Sequence, residues 1–303
     1  MVRVLATDGM AKSAVDELKA KGYEVIEQHY EPDELCEAIK DVDVIVVRSA
    51  TKVREPIIDA AAEAGRLKMI IRGGVGVDNI DVKYAEDKGI EVRNTPAASS
   101  ASVAELTLGH MFSLARFIGI ANYTMREGKW EKKAYKGTEL AGKTLDLIGM
   151  GRIARELAKR AEAIGMKIMY FDIFEIPGLP ESYVKSTKED ILKEADYVSL
   201  HIPMPADKKP VISAEDLATM KPTAYILNLA RGGLIDEDDL CDALDNGVIA
   251  GAALDVYPSE PATNERVLSN PKISLTPHIG GSTKEAQDRI GGEICKHIYD
   301  KFE

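Results

Sequence analysis

One stretch constrains the fold more than any other: Thr144-Leu-Asp-Leu-Ile-Gly149-Met-Gly151-Arg-Ile-Ala154-Arg-Glu-Leu-Ala. It reads as a short apolar strand, a glycine turn of the form GxGxxA, and then a helix. A turn in that setting opens a βαβ unit of a parallel sheet. Gly149 allows the tight turn, Gly151 lets the backbone approach a pyrophosphate, and Ala154 keeps the helix close to the strand. The helix start at Arg152 and Ile153 offers N–H groups and the positive end of the helix dipole to phosphate oxygens. Asp172 closes the next strand, 21 residues after Gly151. A carboxylate there accepts hydrogen bonds from ribose hydroxyls and repels a 2′-phosphate. No arginine follows it in Ile173-Phe174-Glu175, so the stretch favours NAD over NADP. Asp146 is out of place, because central parallel strands are usually apolar.

The same alternation runs through the rest of the 303 residues. Strands are expected at 2–7, 23–28, 42–47, 69–71 and 90–93, with helical patterns near 11–21, 32–39, 56–64 and 82–88. One long helical pattern covers 99–122, after a change of course at Thr95-Pro96. A second series of strands is expected at 144–148, 167–171, 196–200, 224–228, 250–254 and 273–276. An amphipathic helix at 283–301 closes the chain. The first series lacks its last helix, so the closing helix is expected to return to it. The expectation is an α/β protein of two doubly wound parallel-sheet domains. Residues 1–96 plus 283–303 form the first, residues 97–282 the second, and the active site lies in the cleft.

Composition narrows the partners. The formal net charge is −11, which disfavours nucleic acid and anionic lipid. An anionic small molecule remains open, because local cations decide that. Cys36, Cys241 and Cys295 are odd in number, far apart and without CxxC spacing, so neither a metal site nor a disulfide framework is expected. Reduced thiols, the absence of a leader-like amino terminus and the lack of any apolar run of about 20 residues point to a cytoplasmic protein off the membrane.

Of the five histidines, His110 and His297 fall inside helical patterns, and His29 follows a strand of the first series. None of these three receives a role. His201 and His278 each follow a strand of the second series, where ligands are expected. A histidine near neutrality suits proton transfer from an alcohol, usually with a carboxylate to orient it. An arginine suits a substrate carboxylate.

Three further stretches complete a pattern: Leu227-Asn-Leu-Ala-Arg231-Gly-Gly, Asp255-Val-Tyr-Pro-Ser-Glu260-Pro and Thr276-Pro-His278-Ile-Gly-Gly. With them the chain resembles the D-isomer-specific 2-hydroxyacid dehydrogenases over nearly its whole length. The resemblance implies a flavodoxin-like substrate domain and a Rossmann domain for NAD. It implies that Arg231 binds the substrate carboxylate and C2 oxygen, and that Glu260 pairs with His278, the acid/base. It also implies that Asp255 lies near the nicotinamide carboxamide and His201 beside the cofactor.

Within the family the first part is similar to the branch that oxidises D-3-phosphoglycerate. The stretches are Val47-Arg48-Ser-Ala-Thr-Lys52-Val, Arg72-Gly-Gly74-Val-Gly76-Val-Asp-Asn79, Gly128-Lys-Trp130-Glu-Lys-Lys and Gly137-Thr-Glu-Leu140. That similarity implies that Arg48, Arg72, Gly74 and Lys132 meet the substrate's phosphate or carboxylate. Arg54 reads better as a solvated surface arginine. The implied reaction is NAD-dependent oxidation of D-3-phosphoglycerate to 3-phosphohydroxypyruvate, the first step of L-serine biosynthesis. Reduction of glyoxylate or hydroxypyruvate is the alternative, and an NAD-sensing corepressor-like binding protein the more distant one. A homodimer is implied as well.

Some positions depart from the family pattern. Ala154 replaces the usual third glycine, Val75 stands where a hydroxyl is common, and Pro205-Ala-Asp-Lys-Lys-Pro210 lacks the usual Ser/Thr character. The chain ends at Glu303, just after its last helix, so no regulatory domain or serine-feedback site is expected.

Overall fold

The structure, a computed structural model, describes residues 1–303. It divides into two compact units: Met1–Ser100 with Gly281–Glu303, and Ala101–Gly280.

The first unit is built on five strands: β1 (Arg3–Ala6), β2 (Glu24–Glu27), β3 (Val44–Val47), β4 (Met69–Arg72) and β5 (Glu91–Asn94). All pair in parallel, in the order β2-β1-β3-β4-β5. This is the flavodoxin-like doubly wound order. Successive residues of a strand point to opposite faces, and here both faces are apolar. Val4, Ala6, Val44, Val46, Met69 and Ile71 join one core cluster, while Leu5, Ile45, Val47 and Ile70 join the other. The closing helix Lys284–Phe302 returns to this sheet and packs on helix Lys12–Ala20. Ile290, Ile294 and Ile298, spaced by four, enter the cluster that holds Ala14, Val15 and Leu18. Each contributes roughly 1.5–3 kcal/mol by leaving water. Gly291 permits the approach: a Cβ there would sit 2.7 Å from the Ala14 methyl.

The second unit carries seven strands: β6 (Thr144–Ile148), β7 (Lys167–Phe171), β8 (Val184–Lys185), β9 (Tyr197–Leu200), β10 (Tyr225–Asn228), β11 (Gly251–Leu254) and β12 (Ile273–Leu275). They are parallel, in the order β12-β11-β10-β9-β6-β7-β8. The order reverses at β6, between β9 and β7, which is the switch point of a Rossmann sheet and the place where a ligand settles. The expected fold class therefore holds in both units. Leu145 and Leu147 face the helix Arg152–Ala163, whose Ala154, Leu157, Ala158 and Ala161 form its buried stripe.

Two features differ from the sequence pattern. The helical run expected at 99–122 is two helices, Ser100–Arg116 and Ile118–Arg126, bent by 65°. Phe117 breaks it by adopting a left-handed backbone, φ 57°, and its ring lies 5.8 Å from that of Tyr135. The edge strand β8 is only two residues long, too short for alternation to reveal it. No single helix is long and apolar enough to cross a membrane.

Candidate active site

Every site residue expected in the second sheet, Lys132 excepted, lies at or just beyond the carboxyl end of a strand. The glycine turn follows β6, Asp172 follows β7, His201 follows β9, Arg231 lies three residues past β10, Asp255 follows β11 and His278 lies three past β12. Parallel strands present all these loops on one edge of the sheet.

At the turn, Gly149 has φ 91°, and a Cβ there would lie 2.6 Å from the carbonyl oxygen of His201. Conformation and space both demand glycine. Gly151 is different: its missing Cβ points into open space. Backbone can therefore approach a ligand there without obstruction. Arg152 is exposed and Ile153 half-buried at the start of a 12-residue helix whose first N–H groups have no intrahelical acceptor. This cradle fits a dinucleotide pyrophosphate. Asp172 has a second function that the sequence did not disclose. Its Oδ2 accepts from the Met150 amide at 2.8 Å and its Oδ1 from the Phe174 amide at 2.9 Å, so it ties the turn to the next loop. Each oxygen keeps a lone pair for a ribose hydroxyl. The His201 ring contacts Ser199 Oγ through Nε2 at 2.9 Å. Burial lowers its pKa to about 4, so it stands neutral beside the turn.

A histidine–carboxylate pair forms toward the other end of the same edge. His278 Nδ1 lies 2.7 Å from Glu260 Oε2, with both side chains about one-third exposed. An ionised carboxylate only accepts, so Nδ1 carries the proton and Nε2 is left for chemistry. Partial burial pushes the Glu260 pKa up, but the hydrogen bond and charge of His278, the Tyr257 amide and the Arg231 charge outweigh it and hold the carboxyl below its usual range. The structure thus brings Arg231, Glu260 and His278 together. Gly232 is what lets the Arg231 loop come so near: a Cβ on it would overlap the Tyr257 carbonyl at 2.0 Å. Asn228, buried at the end of β10, fixes that loop by donating from Nδ2 to the Arg231 carbonyl at 2.8 Å and accepting from the Ala230 amide. Asp255 is buried, and its carboxylate is occupied by Thr276 Oγ1, Ile279 N and Gly280 N.

In the first unit, Arg48 lies just past β3 and Arg72 ends β4. Arg48 is half-buried, and its guanidinium has no carboxylate partner within the chain. Its loop is clamped from both sides. Asp8 Oδ2 accepts from the amides of Arg48 (2.7 Å) and Thr51 (3.0 Å), and Asn79 Nδ2 donates to the carbonyls of Arg48 (2.7 Å) and Thr51 (2.6 Å). Gly74, φ 152°, gives its Cβ space to the Arg72 guanidinium, which lies 1.3 Å from where that atom would be. Arg54 instead pairs with Asp81 at 2.7 Å. Lys132 belongs to the second unit and is exposed in the segment after helix Ile118–Arg126.

A strand-turn-helix cradle for a pyrophosphate and an Arg–Glu–His group on one sheet edge define a nicotinamide-nucleotide dehydrogenase. Residues 108–280 match the model of the D-isomer specific 2-hydroxyacid dehydrogenase, NAD binding domain. The chain belongs to that family, and its second unit carries the family's NAD-binding domain. It is 47% identical to a hydroxypyruvate reductase of Thermotoga maritima, with 99% of this chain and 98% of that one aligned. It is 44% identical to a D-3-phosphoglycerate dehydrogenase of Methanocaldococcus jannaschii, across 98% of this chain but 57% of that one. The chain spans 54–66% of the length of the phosphoglycerate dehydrogenases it matches. The crystal structure of a glyoxylate reductase from Paecilomyes thermophila superimposes with a TM-score of 0.88 at 31% identity, covering 100% of this chain and 95% of that one.

Proposed function

We propose that the protein oxidises D-3-phosphoglycerate to 3-phosphohydroxypyruvate with NAD. The observation that carries the chemistry is the 2.7 Å contact of Glu260 with His278 beside the charge of Arg231. Arg231 holds the substrate carboxylate, with its planar fork setting the orientation. His278 Nε2 takes the proton of the C2 hydroxyl. Glu260 keeps the ring in the right tautomer and stabilises the imidazolium that forms. When bound, NAD would supply the acceptor for the hydride that leaves C2. Gly151 and the helix start hold its pyrophosphate, and Asp172 its ribose, in preference to a 2′-phosphorylated ribose. Arg48 and Arg72 neutralise the phosphate. The half-buried Arg48 without a carboxylate partner, in a loop fixed at four backbone atoms, supports an anion there. Cytoplasmic location and a homodimer go with this reading.

A second reading, reduction of hydroxypyruvate, is favoured by the full-length likeness to the Thermotoga maritima reductase. Absorbance at the NADH band separates the two. NAD is supplied with D-3-phosphoglycerate, and NADH in parallel with 3-phosphohydroxypyruvate, hydroxypyruvate and glyoxylate. A preference for the phosphorylated pair is expected; a preference for unphosphorylated acids would transfer the assignment to the second reading. His278→Ala and Arg231→Ala should each lower kcat/KM by roughly 10²–10⁴-fold while NAD still binds. Near-normal turnover in either variant would remove that residue from the mechanism.

A further inference from the structure

A line of polar side chains, His110 and Asp255 buried and Ser274 and Thr276 half-buried, runs inward from the His278 loop. His110, on helix Ser100–Arg116 and 4% exposed, has no part in the chemistry above. Its Nδ1 lies 2.8 Å from Ser274 Oγ and its Nε2 lies 3.0 Å from Thr276 Oγ1. Thr276 Oγ1 is 2.6 Å from Asp255 Oδ1. Asp255, 1% exposed, accepts from the amides of Ile279 and Gly280, both at 2.8 Å. Those amides directly follow His278, whose backbone is left-handed, φ 51°. A side-chain-bearing residue seldom adopts that conformation unless its surroundings impose it.

The network itself assigns its protons. An ionised Asp255 only accepts, so the Thr276 hydroxyl donates to it. Thr276 has one proton, so toward His110 it accepts, and Nε2 must carry a hydrogen. Burial draws the His110 pKa down, against the pull of the Asp255 charge, so the ring is neutral at pH 7. Its bare Nδ1 then accepts from the Ser274 hydroxyl. Each bond polarises the next in a low-dielectric surround.

We infer that His110 is a positioning residue for His278: it donates through Nε2 to Thr276, directs the Thr276 proton onto Asp255, and so fixes the carboxylate that holds the two amides behind the acid/base. The inference rests on His278 being that acid/base. It gives Asp255 the function of anchoring the loop, and makes Thr276 the link.

Two measurements test it. In spectra of the ¹⁵N-histidine-labelled protein, His110 should appear as a neutral ring locked in the Nε2–H tautomer, and Thr276→Val should release the lock. A ring in tautomeric exchange, or one protonated on Nδ1 alone, would overturn the inference whatever the enzyme turns over. In steady-state kinetics, Thr276→Val and His110→Phe should each lower kcat about 10- to 100-fold, as for a misplaced catalytic group, with KM for NAD unchanged. Thr276→Ser should restore kcat to within about twofold, since it returns the hydroxyl. The double variant should fall no further than the worse single one, because both act through one bond. Wild-type kcat in Thr276→Val with an inactive His278→Ala would sink this inference alone. An active His278→Ala would sink the acid/base reading and leave the tautomer result standing.

Discussion

Asp8 and Asp146 are both shut away from water, and they differ in what they are given to bond. The Asp8 side chain, 6% exposed, accepts two backbone amides and the Thr51 hydroxyl. Its charge is spent on fixing the loop that carries Arg48. Asp8→Asn can keep one oxygen on those amides, but it removes the charge and turns the acceptor that faces the Thr51 hydroxyl into a donor. KM for the phosphorylated acid should rise about tenfold, one charge-assisted hydrogen bond's worth, while kcat moves far less. An unchanged KM would show that the clamp does not serve the substrate. Asp146 sits in the middle of β6 with neither oxygen hydrogen-bonded. Burial raises its pKa to about 7; Lys221 opposes the rise, and Glu194 and Asp196 add to it. The folded pKa thus lies above the unfolded value of about 3.9. The stability it allows is fully present below pH ~4 and is lost as pH rises through ~7. Asp146→Asn keeps the shape without the titration. Urea unfolding across that window should show a steeper decline in the wild type than in the variant; parallel slopes would contradict this. Neither carboxylate's environment was legible in the sequence, where Asp146 was only an anomaly in an apolar strand. The Glu260–His278 pair, 18 positions apart, was legible through the family motifs and through no rule of spacing. His110 was unreadable, because its partners arrive from β12 and its flank, more than 160 residues away.

Elements were far more legible than side-chain partners, because their signals are periodic and local. The apolar strands and the glycine turn gave both sheets, and the helix at the carboxyl end announced itself by Ile290, Ile294 and Ile298. What escaped was set by contacts rather than by pattern. The bend at Phe117 falls on a side-chain-bearing residue and not on Gly109 or Gly119 of the same run, so no glycine marks its position, and β8 is held by pairing with Met169 and Tyr170. The closing helix is also where packing can be tested. Ile294 is 2% exposed, so Ile294→Ala should cost about 2–5 kcal/mol in denaturant unfolding. A cost well below 1 kcal/mol would mean that the helix docks loosely on its sheet.

Over the whole molecule, a formal charge of −11 coexists with a reading in which the substrate is an anion. The general field opposes such a ligand, so capture must rest on a few cations held close. Arg48 in the first unit and Arg231 in the second each stand in a loop pinned by an Asp or Asn side chain. The division of the chain has another consequence, one of timing. The first sheet is translated early, yet the helix that covers Ala14, Val15 and Leu18 is made only after the whole of residues 101–280. The intervening 101–280 takes on the order of 10–40 s to make at about 5–20 residues per second. At the end of that interval the second unit, continuous in sequence, is complete and has everything it needs to fold. The nascent amino-terminal sheet must wait with an apolar flank uncovered, and that makes it the part of the newborn chain most in need of a chaperone.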